Sequence, residues 1–170
     1  MLPFFVEGLV GRKKVVSLQG GNKNKTMYRV YLDNCCFNRP YDDQTQPKIS
    51  FETQAKLFVQ GLVLQNEVEL VWSYILKFEN SRNIFGAKRA SIAQWEALSS
   101  QFVEASADTT ALAKEIVQTG IKEFDALHLA CAIIAHCNFF ITVDKKILKY
   151  NDKRIIVCNP IQFLHEHYYE

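Results

Sequence analysis

The sequence predicts an α/β fold in which a mainly parallel sheet lies between layers of helices. Short runs of β-branched and aromatic residues alternate with longer segments of helical periodicity, which is typical of parallel strands connected by helices. The length of 170 residues suits one domain with its own core, and no internal repeat is evident. Hydrophobic residues make up 48% and charged residues 22% of the chain, as in soluble globular proteins.

Residues 1–26 precede the predicted domain, which we expect to span residues 27–170. They carry an apolar start, then basic residues, and a linker-like stretch at 20–25. This order is the reverse of a secretory signal peptide. We therefore expect an appended, poorly ordered tail; the alternative is that residues 15–18 add an edge strand.

The first predicted strand, residues 28–32, ends directly before Asp33. In open α/β sheets, ligand sites form at the carboxyl ends of the strands, so this carboxylate would be delivered to the edge of the sheet. The alternative is that Asp33 and Asn34 only begin a turn or cap a helix. Residues 48–61 predict a helix with Gly61 as its C-terminal stop.

The second predicted strand covers residues 68–72, and Ser73 is a candidate N-cap for the helix that follows. Glu79 falls near the end of the second turn of that helix. Residues 84–98 show a third helical pattern, whereas the apolar pair at 102–103 is too short to assign.

The next helix is predicted to begin at Asp108 or Thr109 and to be closed by Gly120. Residues 122–136 predict a helix that is apolar on nearly every side and therefore largely buried. Asp125 lies in its first turn.

Two further strands complete the predicted sheet. Residues 139–143 form a buried run that ends in Asp144, and residues 155–157 form the last strand. Asn159 and Pro160 then begin a short helix.

Four acids stand out because each lies in a position that a sheet edge can bring together: Asp33, Glu79, Asp125 and Asp144. Converging carboxylates repel each other, and a divalent cation removes that repulsion. Oxygen ligands favour Mg²⁺ or Mn²⁺ over zinc. Such an ion binds phosphate oxygens and activates water, so the pattern indicates phosphodiester hydrolysis.

These acids and their surroundings resemble the four acidic motifs of PIN-domain ribonucleases, which include the VapC-like toxins of toxin–antitoxin pairs. The motifs are residues 32–34, Glu79, residues 124–130 and residues 141–144. The resemblance implies a Rossmann-like α/β/α sandwich and metal-dependent endonucleolytic cleavage of RNA. It assigns Asp33, Glu79, Asp125 and Asp144 both to catalysis and to binding Mg²⁺ or Mn²⁺.

The resemblance also implies supporting roles for Asn34 and for Thr142, which matches a polar residue expected to hold a metal-bound water. Arg39 and His128 are candidates for substrate contact, although a packed core histidine is the preferred alternative for His128. One departure is the pair Asn34 and Cys35, because many family members carry Thr or Ser followed by Asn or Ser after the first Asp. It places substrate preference and activity level in question.

Competing interpretations remain for several of these acids and for the function. Glu67 and Glu69 compete with Glu79, and Asp125 alone is explained by the positive end of its helix. Asp42 and Asp43 line the site mouth or form a solvated loop. A phosphatase would want a second Asp at position 35, and no phosphate-binding glycine loop of ATPases exists. The second function considered is a PIN-like module that binds RNA or protein without cleaving.

Five cysteines with no Cys-x-x-Cys pair disfavour a zinc ribbon and suggest reduced thiols in the cytoplasm. No apolar run is long enough to cross a membrane.

The net charge is +2, but residues 27–170 carry 20 − 5 = 15 basic and 18 − 1 = 17 acidic side chains. RNA binding by such a body requires a local basic patch. The expected partners are an RNA substrate, an antitoxin protein and a second copy of the chain.

Overall fold

The computed structural model describes residues 27–169, so the predictions made for residues 1–26 lie outside the described residues. Five strands form one sheet in the order β3-β2-β1-β4-β5, and every neighbouring pair is parallel. The predicted α/β class is confirmed. The strands are β1 Tyr28–Leu32, β2 Val68–Ser73, β3 Gln101–Val103, β4 Phe139–Ile141 and β5 Ile156–Cys158.

Helices connect the strands, as parallel pairing requires. In residues 27–169 these are α1 Asn34–Asn38, α2 Pro47–Leu64, α3 Tyr74–Ser81, α4 Gly86–Ala93, α5 Ala107–Val117, α6 Glu123–Ile134 and α7 Pro160–Gln162. Shorter 3₁₀ turns cover Arg39–Tyr41, Glu96–Leu98 and Ile147–Lys149, and a π-helical segment covers Phe163–Tyr168. None of these helices is long and apolar enough to cross a membrane.

The strand order creates a crevice between β1 and β4. From β1 the chain adds β2 and then β3 on one side, and afterwards β4 and β5 on the other. The carboxyl ends of the two central strands are aligned, because Leu32 pairs with Ile141 and the Asp33 amide donates to the Ile141 carbonyl at 3.0 Å. Ligands of open α/β sheets bind where the strand order reverses, so Asp33 stands at that point.

The core lies on both faces of the two central strands. Val30, Tyr31 and Leu32 are fully buried, as are Phe140 and Ile141. The rings of Tyr31 and Phe140 stack with centroids 5.3 Å apart. Burial on both faces is typical of a parallel sheet covered by helices, and it gives the site at the strand ends a rigid base.

Several predicted boundaries are wrong. The pattern at 84–98 forms the short helix α4 and a 3₁₀ turn, and β3 follows it. Gly61 does not end α2, which continues to Leu64. The N-cap of α5 is Ser106 rather than Asp108 or Thr109. Its hydroxyl accepts from the Thr109 amide, and the Thr109 hydroxyl accepts from the Ser106 amide. Ser73 does cap α3, with its hydroxyl accepting from the Leu76 amide.

Helix α2 turns a polar side toward the protein. Glu52, Lys56 and Gln60 are buried, whereas Phe51 and Phe58 are 60% and 47% exposed. Glu52 forms a buried ion pair with Arg39, and Lys56 lies over the Phe37 ring at 5.4 Å. Buried charges need such partners, so this helix is oriented by tertiary contacts rather than by an apolar stripe.

Candidate functional site: a carboxylate-lined cavity at the sheet edge

A cavity of about 460 Å³ opens at the carboxyl end of the central strands. It is lined by acids from four separate parts of the fold. These are Asp33 after β1, Glu79 on α3, Asp125 in the first turn of α6 and Asp144 after β4. A wider depression along the start of α5 has no acid among its lining residues. The four sequence-predicted acids therefore share one cavity.

Asp33 is the most deeply placed of the four, with 5% of its surface exposed. Its Oδ2 atom accepts a hydrogen bond from the Thr142 hydroxyl at 2.7 Å and a second from the Cys35 thiol at 3.0 Å. Two donors on one oxygen fix the rotamer of this carboxylate. Its other oxygen is left for a partner in the cavity.

Thr142 positions two acids at once. Its hydroxyl donates to Asp33 and accepts from the Asp144 backbone amide at 3.1 Å. The residue is fully buried. Because its hydroxyl is engaged with both acids inside the protein, the structure supports a positioning role for Thr142. Its contact with a metal-bound water stays a prediction.

Asp144 lies on the solvent side of the cavity. Its Oδ1 atom accepts from the Lys146 amide at 2.6 Å and is 3.4 Å from the Ile147 amide. These backbone donors hold one carboxylate oxygen at the beginning of the loop that follows β4. The exposed position lets a substrate or ion approach this acid from solvent.

The pKa of Asp125 is raised partly by the other acids of the cavity. Burial raises the pKa of this carboxyl above its ordinary value, and the negative charges of Asp33 and Asp144 raise it further. His128 opposes the effect and Glu79 adds to it. A cation bound in the cavity would favour the ionised form of this carboxyl.

Glu79 is held by a chain of hydrogen bonds that runs into the core and is called here the relay. Its Oε2 atom lies 2.8 Å from His128 Nε2, and His128 Nδ1 lies 2.7 Å from the Tyr31 hydroxyl. The Tyr31 hydroxyl also lies 2.6 Å from the Ser73 hydroxyl. Nε2–H donates to the Glu79 carboxylate, and Nδ1 faces the Tyr31 hydroxyl, an arrangement inferred from the contacts. The relay fixes Glu79 from behind.

His128 itself is 1% exposed. Both ring nitrogens are engaged inside the protein. The candidate role in substrate contact is therefore corrected to the packed, hydrogen-bonded alternative. Tyr31 was not predicted as part of the site, although it lies two residues before Asp33 and a strand places such residues on the same side.

The competing glutamates are engaged elsewhere. Glu69 forms an ion pair with Arg29 at 2.8 Å, and Glu67 accepts from the Tyr168 hydroxyl. Neither lines the cavity, whereas Glu79 does. This placement favours Glu79 among the three.

Polar residues surround the acids at the mouth. Asn34, Arg39 and Asp42 line the cavity, but Asp43 does not. Arg39 bridges Asp42 and the buried Glu52, at 2.9 Å from each. Its side chain is 17% exposed, so the candidate role in substrate contact is limited to the part that faces the cavity.

Cys35 contributes a thiol to the acid cluster. A contact with Cys36, burial and the charge of Asp33 all raise the pKa of this thiol well above its ordinary value. The group therefore stays protonated and donates to Asp33. The departure noted in the sequence thus places a neutral donor beside the first acid.

The donor set consists of carboxylates, which suits Mg²⁺ or Mn²⁺. Across residues 27–169, however, no three His, Cys, Asp or Glu side chains are arranged as a ready-made metal centre. The acids share the cavity without converging on one point. Side-chain rotations are needed for three or more of them to reach the same ion.

Comparisons with known proteins concern the family and the fold. The family model described as PIN domain matches residues 30–153. Among solved structures, one match is the crystal structure of VapBC2 from Rickettsia felis bound to a DNA fragment from their promoter. The match has 18% identity and a TM-score of 0.50 and covers 77% of this chain and 98% of that chain, which shows a shared fold. No curated protein matches the chain.

Proposed function

We propose that this chain, which belongs to the PIN-domain family, is a metal-dependent endoribonuclease that hydrolyses RNA phosphodiester bonds. The observation that carries this proposal is the cavity shared by Asp33, Glu79, Asp125 and Asp144. A protein gains no stability from crowding four acids around one opening, as the raised pKa of Asp125 indicates. Such a cost is typical of a functional site.

The residues that would hold the ion are the acids themselves. Asp33 and Asp144 flank the crevice between the central strands, and Asp125 and Glu79 face it from the helices. All four offer the oxygen ligands that Mg²⁺ and Mn²⁺ prefer. When bound, such an ion supplies positive charge to phosphate oxygens and increases the acidity of water.

The chain's own residues prepare the site for that chemistry. Thr142 and Cys35 hold one oxygen of Asp33, which lines the cavity. Backbone amides hold Asp144, and His128 holds Glu79. Because these contacts exist before any ligand binds, little reorganisation is needed when the substrate arrives.

We further propose that the chain is the toxin of a toxin–antitoxin pair and that its protein partner is an antitoxin. The support is the shared fold with the VapBC2 protein of Rickettsia felis. A homodimer remains part of this proposal. So does a cytoplasmic location, which suits the five free cysteines.

The test is cleavage of total cellular RNA by the purified chain with Mg²⁺, with Mn²⁺ and with a chelator. We expect defined internal cuts with metal and intact RNA with chelator. The Asp144→Asn variant should leave the RNA intact under all three conditions. Cutting that persists equally in chelator, or equally in Asp144→Asn, would contradict the proposal.

The alternative is a PIN-like module that binds RNA or protein without cleaving it. One observation favours it: within residues 27–169 the acids do not form a ready-made metal centre. RNA binding by the wild type without cleavage in either metal would support this alternative.

A further inference from the structure

Two exposed phenylalanines are the chain neighbours of two cavity acids. Phe78 and Phe124 stack with centroids 6.1 Å apart and ring planes within 8° of each other. They are 45% and 44% exposed, so the stacked pair presents apolar surface to solvent. Phe78 directly precedes Glu79, and Phe124 directly precedes Asp125. The paired rings, called here the aromatic platform, are therefore attached to the backbone next to two cavity acids.

Positive charge accompanies the aromatic platform. The Arg82 guanidinium lies 5.7 Å from the centre of the Phe78 ring. Lys88 lies over the exposed ring of Tyr41, which is preceded by Pro40 and followed by the cavity residue Asp42. Residues 82–89 contain three basic side chains and no acid. This segment is one local concentration of positive charge of the kind that RNA binding requires.

We infer that Phe78 and Phe124 form a base-stacking platform for single-stranded RNA next to the carboxylate-lined cavity, with Arg82 contacting the phosphate backbone. Exposed aromatic rings beside cationic side chains are the usual means of holding single-stranded nucleic acid. An unstacked base on the platform places its backbone phosphate near Glu79 and Asp125. The inference rests on the proposed function for the meaning of that position.

The chemistry distinguishes this ligand from a duplex. Bases inside a duplex are stacked on one another and offer no free face, whereas an unpaired base offers its face to an aromatic ring. The platform therefore selects single-stranded regions and tolerates any base, since every base has such a face. Sequence preference has to come from other residues of the cavity.

The experiment uses the full chain and short single-stranded RNA of random sequence, with 2-aminopurine as a fluorescent base that reports stacking. Binding is measured in the Asp144→Asn background, in which the RNA stays intact under the proposed mechanism. The test variant is Phe78→Leu with Phe124→Leu, which keeps apolar bulk but removes both rings. The matched control is Phe51→Leu with Phe58→Leu, because these exposed rings on α2 are not chain neighbours of any cavity residue.

We expect the test variant to bind RNA at least about fivefold more weakly, the lower limit for losing one stacked base. Its stacking signal should be lost, and in the otherwise wild-type chain its KM should rise by a similar factor with kcat nearly unchanged. Arg82→Gln should weaken binding and reduce its salt dependence. The control should match its parent in every measurement.

Two results would overturn the inference. One is unchanged RNA affinity and KM in the test variant, which would leave the rings to a protein partner. The other is an absence of RNA binding by the parent chain. Platform-dependent binding without any cleavage by the wild type would instead support the platform and contradict the nuclease proposal. RNA cleavage that is unchanged in the test variant would support the nuclease proposal and contradict the platform.

Discussion

His128 Nε2 lies 2.8 Å from Glu79 Oε2, so a buried histidine holds an acid of the cavity from behind. Partners of this kind orient the groups that touch a metal or substrate, and their loss typically lowers activity about 10-fold to 100-fold. We expect His128→Ala to reduce RNA cleavage by that amount.

The control for this variant is Ile133→Ala, a buried truncation on the same helix that does not line the cavity. It should lower the free energy of unfolding by about 2–5 kcal/mol and leave cleavage intact well below the thermal midpoint. Full activity in His128→Ala would show that the relay does not position Glu79.

Asp125 should destabilise the metal-free protein at neutral pH. Its raised pKa means that the folded state holds the proton to higher pH than the unfolded state, so stability falls as pH rises from about 3.8 through the raised value. We expect Asp125→Asn to have a higher thermal midpoint than the wild type in chelator at neutral pH. The difference should fade below the ordinary carboxyl pKa, where both states are protonated.

Glu123→Gln provides the control, because Glu123 lies in the same first turn of α6 but outside the cavity. Removing this exposed charge should leave the midpoint unchanged or slightly lower, since an acid favours a helix N-terminus. A rise in the midpoint of Glu123→Gln equal to that of Asp125→Asn would point to a general charge effect.

Lys56 offers a second pH-dependent prediction away from the acids. Burial lowers the pKa of its ammonium group from 10.5 to about 8, so below pH 8 the folded state bears the full cost of a buried charge. We expect Lys56→Met to raise the free energy of unfolding at neutral pH by up to about 3 kcal/mol.

This gain should shrink between about pH 8 and pH 10.5, because there the folded lysine is neutral while the unfolded one is still charged. Denaturant unfolding at several pH values measures it. The exposed Lys114→Met on α5 should change stability by less than about 0.5 kcal/mol. A pH-independent effect of Lys56→Met would contradict the assigned cause.

The two glycines singled out in the sequence should respond in opposite ways to alanine. Gly120 has a φ of +93°, which L residues rarely adopt, so Gly120→Ala should destabilise by about 1–2 kcal/mol. Gly61 lies inside α2 with open space around it. Gly61→Ala should therefore stabilise by about 0.5–1 kcal/mol. Thermal unfolding distinguishes them, and equal effects would contradict the assigned backbone conformations.

The positions of the acids at the strand ends could be predicted, because the carboxyl ends of parallel strands meet at one edge of the sheet. Asp33 and Asp144 each follow a run of buried residues, and parallel strands bring such positions to one edge. The pattern at 84–98 failed because periodicity alone does not show where a helix ends. The contacts that decide it include the Asn80 side chain donating to the Arg89 carbonyl at 2.9 Å.

The polar side of α2 and the relay behind Glu79 lie beyond sequence reasoning for the same reason. Glu52 is buried only because Arg39, thirteen residues earlier, reaches it. Tyr31 and His128 are separated by 97 residues, yet share a hydrogen bond. Such pairs arise from tertiary packing, which a single sequence does not display.

The acids of the cavity are proposed to bind the activating metal, and a joint measurement of metal response and RNA cleavage tests this proposal most directly. Asp33→Asn and Asp144→Asn keep the shape of the side chain and delete a charge at the crevice. Each is compared with Glu123→Gln, which lies outside the cavity, in thermal unfolding and RNA cleavage with chelator, Mg²⁺ and Mn²⁺.

We predict that metal raises the midpoint of the wild type and of Glu123→Gln and turns on cleavage in both. Saturation at 100 times the dissociation constant corresponds to about 2.7 kcal/mol, or a shift of several degrees. Both Asp variants should lose cleavage and most of that shift. Metal-dependent cleavage that persists unchanged in Asp33→Asn and Asp144→Asn would contradict the account.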